Sequence, residues 1–239
     1  MIISLDAGNT RIKWGVFAAG RWQAQGALAT ADSEALAHLV DSWPHKARLA
    51  IANVAGASVA QRLHRLIDDK WPQALYLQSS AQQGGVRNGY EHSSQLGADR
   101  WAALIGARHL VQGACLIVSA GTATTIDQLD ADGVFQGGVI LPGYELMRQA
   151  LAQGTAQLSL AAGNFVEPAR NTSDAMTSGC LSAQMGAIER AYRQMPPGAT
   201  CVLSGGGAAL LAPHLALPLR QFDNLVLEGL RYLALEAAD

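Results

Sequence analysis

Two short bends of nearly the same chemistry lie more than a hundred residues apart in this chain. The first is Asp6-Ala7-Gly8-Asn9-Thr10, directly after the apolar run Met1 to Leu5. The second is Ser119-Ala120-Gly121-Thr122-Ala123-Thr124-Thr125, directly after Leu116-Ile117-Val118. Each reads as a buried strand, a small-residue turn, and a second strand of alternating pattern, Arg11 to Phe17 and Thr125 to Leu129. A turn of Gly, Ala and Thr lets backbone N–H groups and hydroxyls come close to an anion, because no bulky side chain intervenes. Two such turns facing each other would grip the phosphates of a nucleotide from both sides. That chemistry is phosphoryl transfer.

Such a reaction is mostly positioning plus neutralisation of charge, so it needs N–H donors, a cation and a group to take the hydroxyl proton. Asp6 ends the first strand, where its carboxylate could hold Mg²⁺ through water or simply cap its own backbone turn. Lys13, three residues beyond Thr10, could reach back to a phosphate or point to solvent. Thr122 and Thr124 could donate hydroxyls to phosphate oxygens or be ordinary β-branched strand residues; Thr122 is favoured because it sits at the turn. In Gly97-Ala98-Asp99-Arg100, Asp99 reads either as the N-cap of the helix that follows or as the base for an acceptor hydroxyl. Arg100 is less ordinary. A cation in the first turn opposes the helix dipole, so it calls for an anionic partner. The run Gly205-Gly206-Gly207 after a strand suits a nucleotide's ribose or flat face, or a flexible connection. Asp127 alternates with Thr125 on one strand face, and the sequence gives it no role.

The elements that must hold these residues alternate between strand and helix. Strands are expected at 2–5, 11–17, 21–27, 47–54 and 74–77, with helices at 33–43 and 58–70. Residues 79–95 read as a long polar loop, and a helix follows at 99–111. The second half repeats the opening, with strands 115–118, 123–129 and 134–141, then helices 144–151 and 173–194, strand 200–203 and a closing helix 224–237. The repetition implies an α/β chain of two duplicated domains, 1–113 and 114–239, with a cleft between them, where ligands usually bind.

Composition narrows the partners. Of 239 residues, 49% are hydrophobic and 15% charged, enough for a large core, and the formal net charge of −2 offers no footprint for nucleic acid or an anionic membrane. The three cysteines lack C-x-x-C spacing and the six histidines lack H-x-x-x-H spacing, which argues for reduced buried thiols and no zinc site. With no leader and no apolar run near the ~20 residues of a spanning helix, a cytoplasmic protein is expected.

With these residues in hand, the chain resembles type III pantothenate kinase, of the acetate and sugar kinase/actin superfamily. The resemblance is carried by DAGNTRIKWG from Asp6, NGY from Asn88, LGADR from Leu96 and AGTATTID from Ala120. GGVILPG from Gly137, NTSDAMTSG from Asn171 and SGGGA from Ser204 complete it. It implies two ribonuclease-H-like (actin-like ATPase) domains and phosphorylation of pantothenate to 4'-phosphopantothenate by ATP and Mg²⁺, the first step of coenzyme A synthesis. Carried across, Asp6, Ala7, Gly8, Asn9, Thr10, Arg11, Ile12 and Lys13 form the first phosphate loop, Thr122 contacts ATP, and Asp99 is the general base. Tyr90, Gly97, Ala98, Arg100 and Thr172 line the pantothenate pocket, with Arg100 facing the pantothenate carboxylate. A homodimer, with the acceptor site near the subunit interface, is implied as well. One position departs from the family: members often carry Asp at the start of the second loop, where it binds a monovalent cation, and here Ser119 stands. A neutral hydroxyl cannot offset the charge of K⁺ or NH₄⁺, which argues against dependence on either ion unless other ligands hold it. The alternatives are another small-molecule kinase of the superfamily and a non-catalytic ATP-binding regulator, which would need no base.

Overall fold

The computed structural model describes residues 1–155 and 157–237; Ala156, Ala238 and Asp239 lie outside the described residues. In chain order the elements are β1 (Ile2–Ala7), β2 (Arg11–Ala18), β3 (Arg21–Ala29), α1 (Ser33–Asp41), β4 (Arg48–Asn53), α2 (Ala57–Ile67) and β5 (Leu75–Tyr76). Then come β6 (Gln82–Gln83), β7 (Val86–Asn88), α3 (Ala98–Leu110), β8 (Cys115–Ala120), β9 (Ala123–Leu129) and β10 (Val134–Pro142). The chain closes with α4 (Tyr144–Gly154), α5 (Thr172–Tyr192), β11 (Thr200–Ser204), α6 (Ala208–Leu211), β12 (Leu219–Phe222) and α7 (Leu225–Glu236). These elements fall into two compact units, and neither is a single stretch of chain. One holds Met1–Gln112, Gly133–Phe135 and Asn224–Asp239; the other holds Gly113–Asp132 and Gln136–Asp223.

The first unit is built on a five-stranded sheet in the order β3-β2-β1-β4-β5. Strands β1, β2 and β3 form the expected antiparallel meander, and β4 runs parallel to β1. Alternation along β1 decides what each face carries. Ile3, Leu5 and Ala7 enter a core with Leu36 and Val40 of α1 and Val59, Leu63 and Ile67 of α2. Ile2, Ser4 and Asp6 therefore take the opposite face of a strand that α7 packs against. All six β1 residues are buried, so any polar group among them has to be explained.

The polar stretch 79–95 is not a plain loop. Gln82–Gln83 and Val86–Asn88 pair as a small antiparallel hairpin around Gly84 and Gly85, both at positive φ (55° and 72°). A two-residue turn with φ positive at both places is what a tight hairpin demands, and two glycines supply it without strain. The strands are too short for a hydrophobic alternation to announce them. A single 3-10 turn at Ser93–Gln95 then leads to α3.

The second unit has the strand order β12-β11-β8-β9-β10. Strands β8 and β9 are antiparallel, while β11 runs parallel to β8 and β12 parallel to β11. Leu116, Val118, Ala120, Ile126, Cys201 and Leu203 point from this sheet into a core completed by Leu181, Met185 and Ile188 of α5. Cys115, Cys180 and Cys201 are buried thiols outside any disulfide. Burial, with Cys115 adding to it, pushes the Cys201 thiol up to about 12, which makes it inert. No described helix is long and apolar enough to cross a membrane.

Candidate active site

The first bend is the tip of the β1–β2 hairpin. Ala7 pairs with Ile12 and Asp6 with Lys13 across the strands, and Gly8 N donates to Arg11 O at 3.1 Å. Gly8 is half-buried, and Asn9, Thr10 and Arg11 are exposed at the tip. Ala7 and Ile12 are wholly buried in the core, so only their backbone could meet a ligand. Lys13 is half-buried directly opposite Asp6, which places its charge beside the carboxylate.

Asp6 itself is 8% exposed. Burial pushes its carboxyl up to about 7; the nearby Asp99 carboxylate pushes the same way, and Lys13 opposes them. Asp6 and Asp99, 93 positions apart in sequence, are thus electrostatic neighbours. The sheet brings this about: Val54, just after β4, donates its N–H to Ala7 O at 2.9 Å. Its side chain also lies 3.8 Å from where a Cβ on Gly97 would stand.

Asp99 is not the N-cap of α3. That place belongs to Gly97, and Asp99 is the second residue of the helix. Its Oδ1 accepts the Arg100 N–H at 2.8 Å, one of the unpaired amides of a helix start. A Cβ on Gly97 would sit 2.7 Å from that same oxygen. The absent side chain leaves the carboxylate its room.

Arg100 is 6% exposed. Its Nη1 donates to the Tyr90 hydroxyl at 2.9 Å, and its guanidinium lies 5.6 Å from the Tyr90 ring centroid and 5.8 Å from that of Phe135. Tyr90 is in turn set by its N–H donating to Asn88 Oδ1 at 3.0 Å, while Asn88 Nδ2 donates to Ser93 O at 3.2 Å. Phe135 was not legible as part of this cluster, since in sequence it reads only as an apolar strand residue. It arrives because Val134 and Phe135 pair in parallel with Arg87 and Asn88 of β7. An arginine held over two aromatic faces keeps its planar fork fixed for an anion.

The second bend, in the other unit, is neutral and made of backbone. Gly121 N donates to Ala123 O at 3.0 Å, Gly143 N to Thr122 O at 2.9 Å and Gly207 N to Ala120 O at 2.9 Å. A Cβ on Gly143 would stand 2.1 Å from Gly121 O, and one on Gly205 (φ +96°) 2.4 Å from Ala120 O. The bend, the end of β10 and the glycine run after β11 are therefore one packed cradle. Thr122 is exposed on it, whereas Thr124 is 1% exposed on the β8–β9 ladder. Ser119 stands opposite both Thr125 of β9 and Ser204 of β11, so hydroxyl residues occupy three adjacent strands. Asp127 is 1% exposed on β9, opposite Ile117. Thr172 is the exposed first residue of α5, capped by Asn171, whose side chain accepts from Asp174 N at 2.9 Å.

Comparison with known proteins places this geometry in a family. A sequence profile described as type III pantothenate kinase matches residues 2–194. The chain is 52% identical over 240 residues to a type III pantothenate kinase of Aromatoleum aromaticum, covering 100% of this chain and 99% of that one. It is 49% identical over 238 residues to one from Dechloromonas aromatica, covering 99% and 100%. Among solved structures it is similar to a conserved Baf family protein from Campylobacter jejuni (TM-score 0.67, 18% identity, 99% of each chain). It is also similar to a ROK hexokinase from Thermus thermophilus (TM-score 0.55, 15% identity, 99% of each chain). These structural likenesses speak for the fold alone, which is the duplicated α/β fold of actin-like ATPases and sugar kinases expected from the sequence.

Proposed function

We propose, since this chain belongs to the type III pantothenate kinase family and is a kinase, that it transfers the γ-phosphoryl group of ATP to the primary hydroxyl of pantothenate. The product is 4'-phosphopantothenate, and the step opens coenzyme A synthesis. The observation that carries this reading is the acidic pair. Two carboxyl groups lie close together, one buried and pushed up to about 7, the other half-buried at a helix start. Environments that differ in this way suit different tasks.

Asp99 takes the harder task. It is the more exposed of the two, at a helix start beside the acceptor-side residues, and accepts the proton of the attacking hydroxyl. Arg100, one residue on and already held by Tyr90, binds the pantothenate carboxylate and so orients the hydroxyl toward Asp99. Tyr90, Gly97 and Ala98 line the same pocket, and Thr172 is assigned to it on the family resemblance. The first loop from Asp6 to Lys13 is assigned to the phosphates, and Thr122 is assigned an ATP contact on the family resemblance.

Asp6 fits a divalent cation. Its carboxyl is crowded by burial and by a like charge, and a positive ion there would relieve both. No group of three or more His, Cys, Asp or Glu is gathered among the described residues, so water and phosphate oxygens would fill most of the coordination shell. That is the habit of Mg²⁺. When bound it would neutralise charge on the transferring group. Ser119 brings no charge for K⁺ or NH₄⁺. A homodimer and a cytoplasmic location complete the proposal.

The test is a coupled ADP-release assay with pantothenate against a panel of sugars and hydroxy acids. Turnover with pantothenate well above the rest is expected. Preference for a sugar would favour another superfamily kinase, and no turnover with any acceptor would favour a binding protein.

A further inference from the structure

Thr30 belongs to none of the motifs, yet it makes two hydrogen bonds to the first loop. It follows β3, is 7% exposed, and continues the β2–β3 ladder by one step. Its N–H donates to Thr10 O at 3.1 Å, and its hydroxyl donates to Gly8 O at 2.7 Å. Its own carbonyl accepts from Arg62 Nη1 on α2 at 3.0 Å. One residue thus holds two of the loop's carbonyls and is itself tied to a helix.

The consequence follows from the peptide unit. In a planar trans peptide the N–H points opposite to the C=O. The Gly8 carbonyl shares its peptide with the Asn9 amide, and the Thr10 carbonyl shares its peptide with the Arg11 amide. Drawing both carbonyls onto Thr30 turns the Asn9 and Arg11 amides away from it. We infer that Thr30 is a positioning residue for phosphate binding, fixing the tip of the first hairpin so that the amides of Asn9 and Arg11 stay presented to the ATP phosphates.

This rests on the reading of the first loop as a phosphate loop, and the experiment separates the two. Steady-state kinetics of the full chain would compare wild type, Thr30→Val and Thr30→Ser, varying ATP and pantothenate in turn. Valine keeps the shape and loses the donor, leaving Gly8 O short of a partner. The expected result is a KM for ATP raised roughly tenfold in Thr30→Val, with the KM for pantothenate within about twofold of wild type. Thr30→Ser returns the donor and brings the KM for ATP back, even if its melting point falls. A wild-type KM for ATP in Thr30→Val, or equal loss in both variants, overturns the inference while the kinase reading stands. Absence of ATP-dependent turnover in wild type overturns the kinase reading and the inference with it.

Discussion

The two bends share a sequence pattern and differ in how they are held. Asp6-Ala7-Gly8 and Ser119-Ala120-Gly121 each end a strand and open a turn, so Asp6 and Ser119 stand at matching places. Across the first hairpin Asp6 faces Lys13; across the second, Ser119 faces Thr125. The first tip is exposed and braced by one threonine side chain. The second is locked by backbone, with Gly143 and Gly205 too close to it for any side chain. The first bend has the charged residues Asp6, Lys13, Asp99 and Arg100 in its own unit, while the residues of the second bend are neutral. Duplication of a fold need not duplicate its chemistry.

Removing the proposed base should have the largest effect. Asp99→Asn should lower kcat roughly a thousandfold with ATP affinity largely kept, as read by single-turnover kinetics and equilibrium binding. Arg100→Met should come next, raising the KM for pantothenate roughly tenfold to a hundredfold and sparing the KM for ATP. In the other unit the sensitive positions carry no charge. Gly143→Ala should weaken ATP binding and lower the melting point, because its Cβ would stand 2.1 Å from Gly121 O. Gly20→Ala, at a turn with open space around it, should cost about 1 kcal/mol through backbone strain alone and leave the KM values unchanged.

The pH dependence of stability sharpens the contrast further. The Asp6 carboxyl is raised from 3.8 to about 7 by burial first and Asp99 second. Between those values the folded state binds more protons than the unfolded one, so stability falls as pH rises through the window. Without Mg²⁺ and nucleotide, Asp6→Asn should flatten that decline and melt roughly 5 °C above wild type at pH 8. Ser119 has no such signature. Titrating K⁺ at fixed ATP and Mg²⁺ should change the rate little, and a steep saturating activation would mean that other groups hold the ion.

Much of this was legible from local pattern. Both meanders stand where the apolar pattern put them, α1 and α2 follow the apolar spacing, α3 and the long α5 stand where helices were expected, and the small-residue turns announced the two bends. What the sequence hid has physical causes. Asp99 sits two positions past the cap because Gly97 takes that place, and glycine carries no capping side chain to betray it. Phe135 joins Arg100 only through a two-residue strand pairing, which leaves no periodicity. Thr30 acts through its backbone and one hydroxyl at a strand end, where a threonine is unremarkable. The Gly84-Gly85 pair was the one missed signal that the sequence did carry.

The product itself gives the most direct test of Asp99 as the base. Wild type and Asp99→Ala, each incubated with ATP, Mg²⁺ and pantothenate, would be compared by mass spectrometry, with ATP binding checked in parallel. Singly phosphorylated pantothenate from wild type and almost none from an ATP-binding variant is the predicted result. Equal product from both, or none from wild type, would contradict it.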